Sequence, residues 1–158
     1  NRTIPTLSAS NYVKPRQSAL SKNPEPILKP ARRVLVVEDN EHTAYMLEFL
    51  LHRSGYEVMV APNGRDAQEI MRNVPPVDVI VLDLMLPYVS GYQIILDARE
   101  DPGWRHVPIL VLSGKVLEMD VTRALDQGAD DYVTKPFRPQ ELLARIRRLI
   151  ATHERLSA

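Results

Sequence analysis

The sequence predicts an α/β protein built on an open, twisted, five-stranded parallel sheet with helices on both faces. Three observations carry this expectation. From Arg33 onward, short apolar runs rich in β-branched residues alternate with segments of helical spacing. Three of those runs, "VLVV", "VIVL" and "ILVL", are apolar at every position, as strands covered on both faces require. The resulting order, βαβαβαβαβα, calls for parallel strands joined by right-handed crossovers.

Each element has its own signal. Strand 1 is expected over Val34–Val37, and Ala44, Leu47 and Leu51 mark the helix after it. Gly55 stands where that helix would be capped. Strand 2 is expected over Tyr56–Val60. Ala67, Ile70, Met71 and Val74 then fall at i, i+3, i+4 and i+7, one face of a helix. Strand 3 is Val79–Leu82, and a helix with a weaker stripe covers residues 90–99. Strand 4 is Ile109–Leu112, followed by a second weak-striped helix over 116–127 with Gly128 at its end. Strand 5 is Asp131–Thr134. Leu142, Ile146, Leu149 and Ile150 give the last helix its apolar stripe, with Arg145, Arg147 and Arg148 mostly turned away. Five such units are expected to adopt the flavodoxin-like (βα)5 three-layer arrangement with strand order 2-1-3-4-5. Ligands of these sheets bind beyond the C-terminal ends of the strands, where the order reverses.

The bulk composition narrows the function classes. The chain has no cysteine, which excludes disulfides and thiolate metal sites. No apolar run approaches the ~20 residues of a membrane span and no secretory signal pattern appears. The chain therefore reads as soluble and cytoplasmic. It opens on Asn1 rather than Met, which suggests processing or excision from something longer. Residues 1–32 hold six of the 20 basic residues and one of the 20 acidic ones, a net +5 that leaves −5 on the remainder. With five prolines and no steady period, this segment reads as a basic arm or linker. It lacks the aromatic interleaving and arginine clustering of a nucleic-acid arm, so no direct nucleic-acid binding is expected. The globular domain is expected over 33–154, leaving 155–158 as its end or the start of a linker.

Charged and polar residues gather where the strands end. Glu38 and Asp39 follow strand 1, Asp83 follows strand 3, Ser113 follows strand 4 and Lys135 follows strand 5. Singly, each has a commonplace reading. Asp39 could cap the next helix, Ser113 could cap a helix starting near Lys115, Lys135 could be solvated, and Asp83 could sit in a turn. Together they place three carboxylates, a hydroxyl and an ammonium on one rim of one sheet. Carboxylates so close repel one another unless a cation joins them. An all-oxygen site with few protein ligands suits Mg2+, and no His or Cys stands there to favour zinc. A metal and an ammonium around a carboxylate meet the needs of phosphoryl transfer. Asp83 would then be the nucleophile that forms an acyl phosphate.

The blocks "VLVVEDN", "VIVLDLMLPYVSG", "PILVLSG" and "GADDYVTKPF" resemble, in order and spacing, the motifs of the response-regulator receiver domain of two-component signalling. The resemblance runs from about Arg33 to Glu154. It implies that Asp83 accepts a phosphoryl group from a phosphohistidine on a sensor histidine kinase or phosphotransfer protein. It implies that Glu38, Asp39, Asp83 and the Met85 carbonyl organise Mg2+, Glu38 through water. Ser113, Gly114 and Lys135 would bind the phosphoryl group, with Gly114 standing where the family usually has Ala. Ser113 and Tyr132 match the family's switch residues, Pro136 its cis-proline and Gly91 a loop glycine. Tyr132 alone could equally be an edge-strand aromatic that covers its neighbours.

The same resemblance implies a mechanism of signalling. Phosphorylation adds ~1.5–2 negative charges and three acceptor oxygens. Ser113 would move toward them, and Tyr132 would turn into the space released. The 116–127 helix, strand 5 and the last helix would form the responsive surface, with the weak-striped helix the easiest to shift. "PFRPQELLARIRRLI" is similar to receivers that control winged-helix outputs, and a homodimer through that surface is an expectation. An alternative is a phosphorelay receiver excised from a hybrid histidine kinase. Two further alternatives fare worse. A haloacid-dehalogenase-like phosphatase needs a second Asp two residues after the nucleophile, where Met85 stands. A flavin module wants a phosphate loop after strand 1, and "EDNEHTA" is acidic there.

Overall fold

The computed structural model describes residues 29–158. The first 28 residues, and with them most of the expected basic arm, lie outside the described residues. Five strands and five helices alternate. They are β1 (Arg33–Val37), α1 (Glu41–Arg53), β2 (Glu57–Ala61), α2 (Gly64–Asn73) and β3 (Val79–Leu82), then α3 (Gly91–Glu100), β4 (Ile109–Ser113), α4 (Glu118–Gln127), β5 (Asp131–Thr134) and α5 (Pro139–Ser157). All pairings are parallel, and the sheet order is β2-β1-β3-β4-β5. This is the flavodoxin-like arrangement expected from the element order.

The all-apolar strands divide their side chains between two cores. Leu35, Val37, Ile80, Leu82, Ile109 and Val111 face the layer formed by α2, α3 and α4. Val34, Val36, Val79, Val81, Leu110 and Leu112 face α1 and α5. This alternation follows from the two-residue period of a strand, and it leaves β1, β3 and β4 apolar throughout. Burying a Leu, Ile or Val side chain is worth about 1.5–3 kcal/mol, so these three strands anchor the molecule.

Three expectations change in detail. Val74 does not extend the α2 stripe. The helix stops at Asn73, and Val74 is its extended cap, at φ −118° and ψ 140°. Pro75 follows it, and a residue before proline is pushed out of the helical region. The helix expected from residue 116 begins at Glu118. The two weak-striped helices also part company. α3 buries Gly91, Tyr92, Ile94, Ile95 and Ala98, whereas α4 buries Ala124 alone. α4 is therefore the helix with the least apolar anchorage.

Candidate functional site

Backbone pairing continues past the strands and brings their first loop residues to one rim. Glu38 N–H donates to Ala61 O at 3.0 Å, Asp83 N–H to Val37 O at 3.0 Å, and Lys135 N–H to Ser113 O at 2.9 Å. Glu38 and Asp83 therefore emerge side by side where the strand order reverses, and Lys135 emerges on the same rim two strands beyond β3. Glu38 and Asp83 are buried at 2% and 4% exposure, although nothing in the local sequence distinguishes Glu38 from an ordinary solvated acid. Asp39 beside them is exposed.

Lys135 holds the two buried acids. Its Nζ lies 2.9 Å from each carboxylate oxygen of Glu38 and 3.0 Å from Oδ2 of Asp83. One carboxylate oxygen from each of Glu38, Asp39 and Asp83 lies within 4.8 Å of the other two. Burial is the main force on Glu38 and raises its pKa from 4.5 to about 7. The Lys135 hydrogen bond opposes this, and the Asp83 charge reinforces it. Burial alone would lower the Lys135 pKa, but its bonds to Glu38 and Asp83 more than offset that and raise it. One ammonium faces three carboxylates, so the rim carries an excess of negative charge. That donor set, hard oxygens only and partly open to water through Asp39, fits a Mg2+ ion.

The remaining candidates surround this centre. Asp39 is free of the capping role open to it, because Asn40 caps α1 by accepting from Thr43 N–H at 3.0 Å. Met85 N–H donates to Asp83 Oδ1 at 3.2 Å and fixes the carboxylate's orientation. The Met85 side chain is itself exposed. Ser113 is fully buried at the end of β4. It caps no helix, since α4 starts five residues later; its Oγ accepts from Lys115 N–H at 3.3 Å. Gly114 is exposed, and a Cβ there would meet nothing within 4 Å. The Lys135–Pro136 peptide is cis.

Two relationships were beyond reading from the sequence. Tyr132 is half-buried, and its hydroxyl donates to Lys115 O at 2.7 Å. Lys115 thus bonds Ser113 through its N–H and Tyr132 through its carbonyl. Tyr92 of α3 donates to Asp120 of α4 at 3.0 Å, with Arg123 stacked 3.9 Å from its ring centre. Asp131, at the start of β5, is paired with Arg145 of α5 at 3.1 Å.

Comparison with known proteins agrees with this architecture. The family model of the response regulator receiver domain matches residues 34–147. The DNA-binding response regulator MtrA of Mycolicibacterium smegmatis is 41% identical over 123 residues, 78% of this chain. The chain spans about half the length of that relative, 52%. The receiver domain of a signal transduction histidine kinase from Syntrophus aciditrophicus is 31% identical, with a TM-score of 0.72 over 77% of this chain and 92% of that one. The receiver domain of the sensor histidine kinase PA1611 from Pseudomonas aeruginosa is also 31% identical. It has a TM-score of 0.71 over 77% of this chain and 98% of its own, and carries a magnesium ion in its active-site cleft. With the family model spanning most of the sequence and the acidic rim in the expected place, the chain belongs to the response regulator receiver domain family of two-component signalling.

Proposed function

We propose that this receiver is a Mg2+-dependent phospho-acceptor whose acceptor is Asp83 and whose donor is a phosphohistidine on a sensor kinase or phosphotransfer protein. The observation that carries this reading is the seating of Asp83. Its carboxylate is buried, held at Oδ2 by Lys135 and at Oδ1 by the Met85 N–H. An Asp83 oxygen attacks phosphorus, the P–N bond breaks, and its electron pair stays with the imidazole. Lys135 neutralises charge on the phosphoryl oxygens. Bound between Glu38, Asp39, Asp83 and the Met85 carbonyl, Mg2+ would supply further charge neutralisation. Ser113 and the backbone at Gly114 complete the phosphoryl pocket. The acyl phosphate is lost by slow self-hydrolysis, so the chain acts as a switch rather than as a turnover enzyme.

The bonds at Lys115 support a route from phosphate to surface. When Ser113 turns to a phosphoryl oxygen it releases the Lys115 N–H. The segment carrying the Lys115 carbonyl is then loosened, and Tyr132 is freed to turn inward. α4, with its single buried residue, shifts most readily, and the α4–β5–α5 surface meets an output domain, a target or a second copy. We place the receiver at 33–154, preceded by a basic arm, in a cytoplasmic protein. A second reading, a phosphorelay receiver within a hybrid kinase, draws on the two histidine-kinase receivers among the similar structures.

The test is incorporation of phosphate from acetyl phosphate with and without Mg2+. The parent is expected to form an acid-stable, base-labile adduct only with Mg2+, and Asp83→Asn is expected to form none. Equal labelling of Asp83→Asn would overturn the assignment.

A further inference from the structure

The loop between β3 and α3 carries Asp83 and Met85, and a second element grips it. Gly64, the first residue of α2, donates its N–H to Pro87 O at 3.4 Å. A Cβ at Gly64 would lie 2.1 Å from Val89 O and 2.7 Å from Val89 Cβ, so the two backbones are in direct contact. Between these touching points stands Tyr88, at φ +70°. Tyrosine rarely adopts this left-handed conformation without outside support. Part of the support is local, since Val89 N–H donates to Pro87 O at 2.8 Å across it; the rest is next to Gly64, where the Arg65 guanidinium lies 4.4 Å from the centre of the Tyr88 ring. Both side chains are otherwise exposed, Tyr88 at 73%. Neither fills the core, and nothing in the hydrogen-bonding of α2 requires Arg65.

We propose that Arg65 and Tyr88 form a surface clamp that positions the β3–α3 loop, and through it the Met85 carbonyl, for the divalent cation. The inference rests on the phospho-acceptor reading above and names two positioning residues, Arg65 outside the strand-end blocks and Tyr88 within one, to which the sequence assigns no role. Tyr88 lies three residues beyond Met85, and the short chain between them bends at Met85 and again at Pro87. Holding the Tyr88 ring against α2 therefore limits the directions in which the Met85 carbonyl can point. Gly64 supplies the close approach that lets Arg65 reach the ring. A cation–π contact of this kind is kept only in part when Lys replaces Arg, since the charge stays but the planar guanidinium goes, and it is lost when either side is cut to Ala.

Calorimetric titration of Mg2+ into the unphosphorylated protein tests the clamp without reference to phosphorylation. Arg65→Ala is expected to weaken Mg2+ binding by about two- to fivefold, what losing an exposed cation–π contact costs. Arg65→Lys, which keeps the charge, is expected to bind Mg2+ more tightly than Arg65→Ala and less tightly than the parent. Tyr88→Ala should match Arg65→Ala, and the double variant should be no weaker than either single one, as for two residues acting as one unit. Melting temperatures without Mg2+ should barely differ, since both side chains are exposed. If the parent binds Mg2+ and Arg65→Ala binds it equally well, the clamp is refuted while the phospho-acceptor reading stands. If the parent itself does not bind Mg2+, the phospho-acceptor reading fails and takes the clamp with it.

Discussion

Lys135 grips Glu38 by both carboxylate oxygens at 2.9 Å, across 97 residues of sequence, while its third contact goes to Asp83. Glu38 is nevertheless a raised acid, because burial outweighs the lysine. The stability consequence has a definite sign. In the unfolded chain the carboxyl titrates near 4.5, and in the folded one near 7. The folded state binds the proton more tightly, so this group's contribution is complete below pH 4.5 and is lost as pH rises through about 7. The melting temperature of the metal-free protein is expected to fall between pH 5 and pH 8, and Glu38→Gln should flatten the fall. Mg2+ competes with that proton, so its affinity should rise over the same interval. A Mg2+ affinity that does not change between pH 6 and pH 8 would contradict this.

Removal of the ammonium should be felt more strongly. Lys135→Met leaves Glu38 and Asp83 buried at 2% and 4% exposure without their cation. Breaking a buried pair by deleting one partner costs about 3–5 kcal/mol, and Lys135 is partly open to water, which places the expected loss near the lower bound. Protonation of the orphaned acids relieves it, so urea denaturation should show a larger loss at pH 8 than at pH 5. Mg2+ at pH 8 should recover part of the stability. A loss that is the same at both pH values would show that the pair's charge is not its main contribution.

The sheet was legible because its signal is local. β1, β3 and β4 are buried on both faces, and an all-apolar run says so without reference to neighbours. α3 was underestimated because Gly91, Tyr92 and Ala98 do not read as a strong apolar stripe, yet position between α2 and α4 buries all three. The rim residues were legible as a set because parallel crossovers force every strand's C-terminal end to one edge. Their pairing was not. Whether Lys135 reaches Glu38, Asp83 or solvent is decided by side-chain packing across three strands. The Lys115 bonds to Ser113 and Tyr132 depend likewise on a loop conformation that no local pattern specifies.

Two glycines near the site should respond in opposite ways to one added methyl group. A Cβ at Gly91 would lie 2.2 Å from Asp83 O and 2.7 Å from Leu84 Cα, both backbone atoms. Gly91 also donates its N–H to Leu84 O at 2.9 Å. Gly91→Ala must push α3 away from the loop bearing Asp83, and overpacking of this kind costs about 1–3 kcal/mol. Phosphate incorporation should fall with it, because the acceptor's backbone moves. Gly114→Ala meets nothing within 4 Å and should stay within about 0.5 kcal/mol of the parent, with labelling retained. Thermal melts and acetyl-phosphate labelling of both variants check the pair; equal behaviour would refute the contact argument.

Tyr92 is the clearest place to loosen α4 without touching the phosphoryl pocket. Ala124 alone anchors that helix in the core. Its ties to α3 are otherwise polar: Tyr92 donates to Asp120 at 3.0 Å, Arg123 stacks on the same ring, and at the helix's end Arg99 donates to Gly128 O at 2.7 Å. Burial, aided by the Asp120 bond and charge, pushes the Tyr92 hydroxyl up to about 12, so it remains a donor throughout the physiological range. Tyr92→Phe removes the bond and keeps the ring for Arg123. The expected loss of global stability is about 1 kcal/mol. The more telling readout is local, since a helix with few buried contacts opens ahead of the rest. Amide hydrogen exchange should quicken over 118–127 and stay unchanged over 91–100. Exchange that quickens in both segments would mean that Tyr92 supports α3 itself, and that α4 is held by something other than this bond.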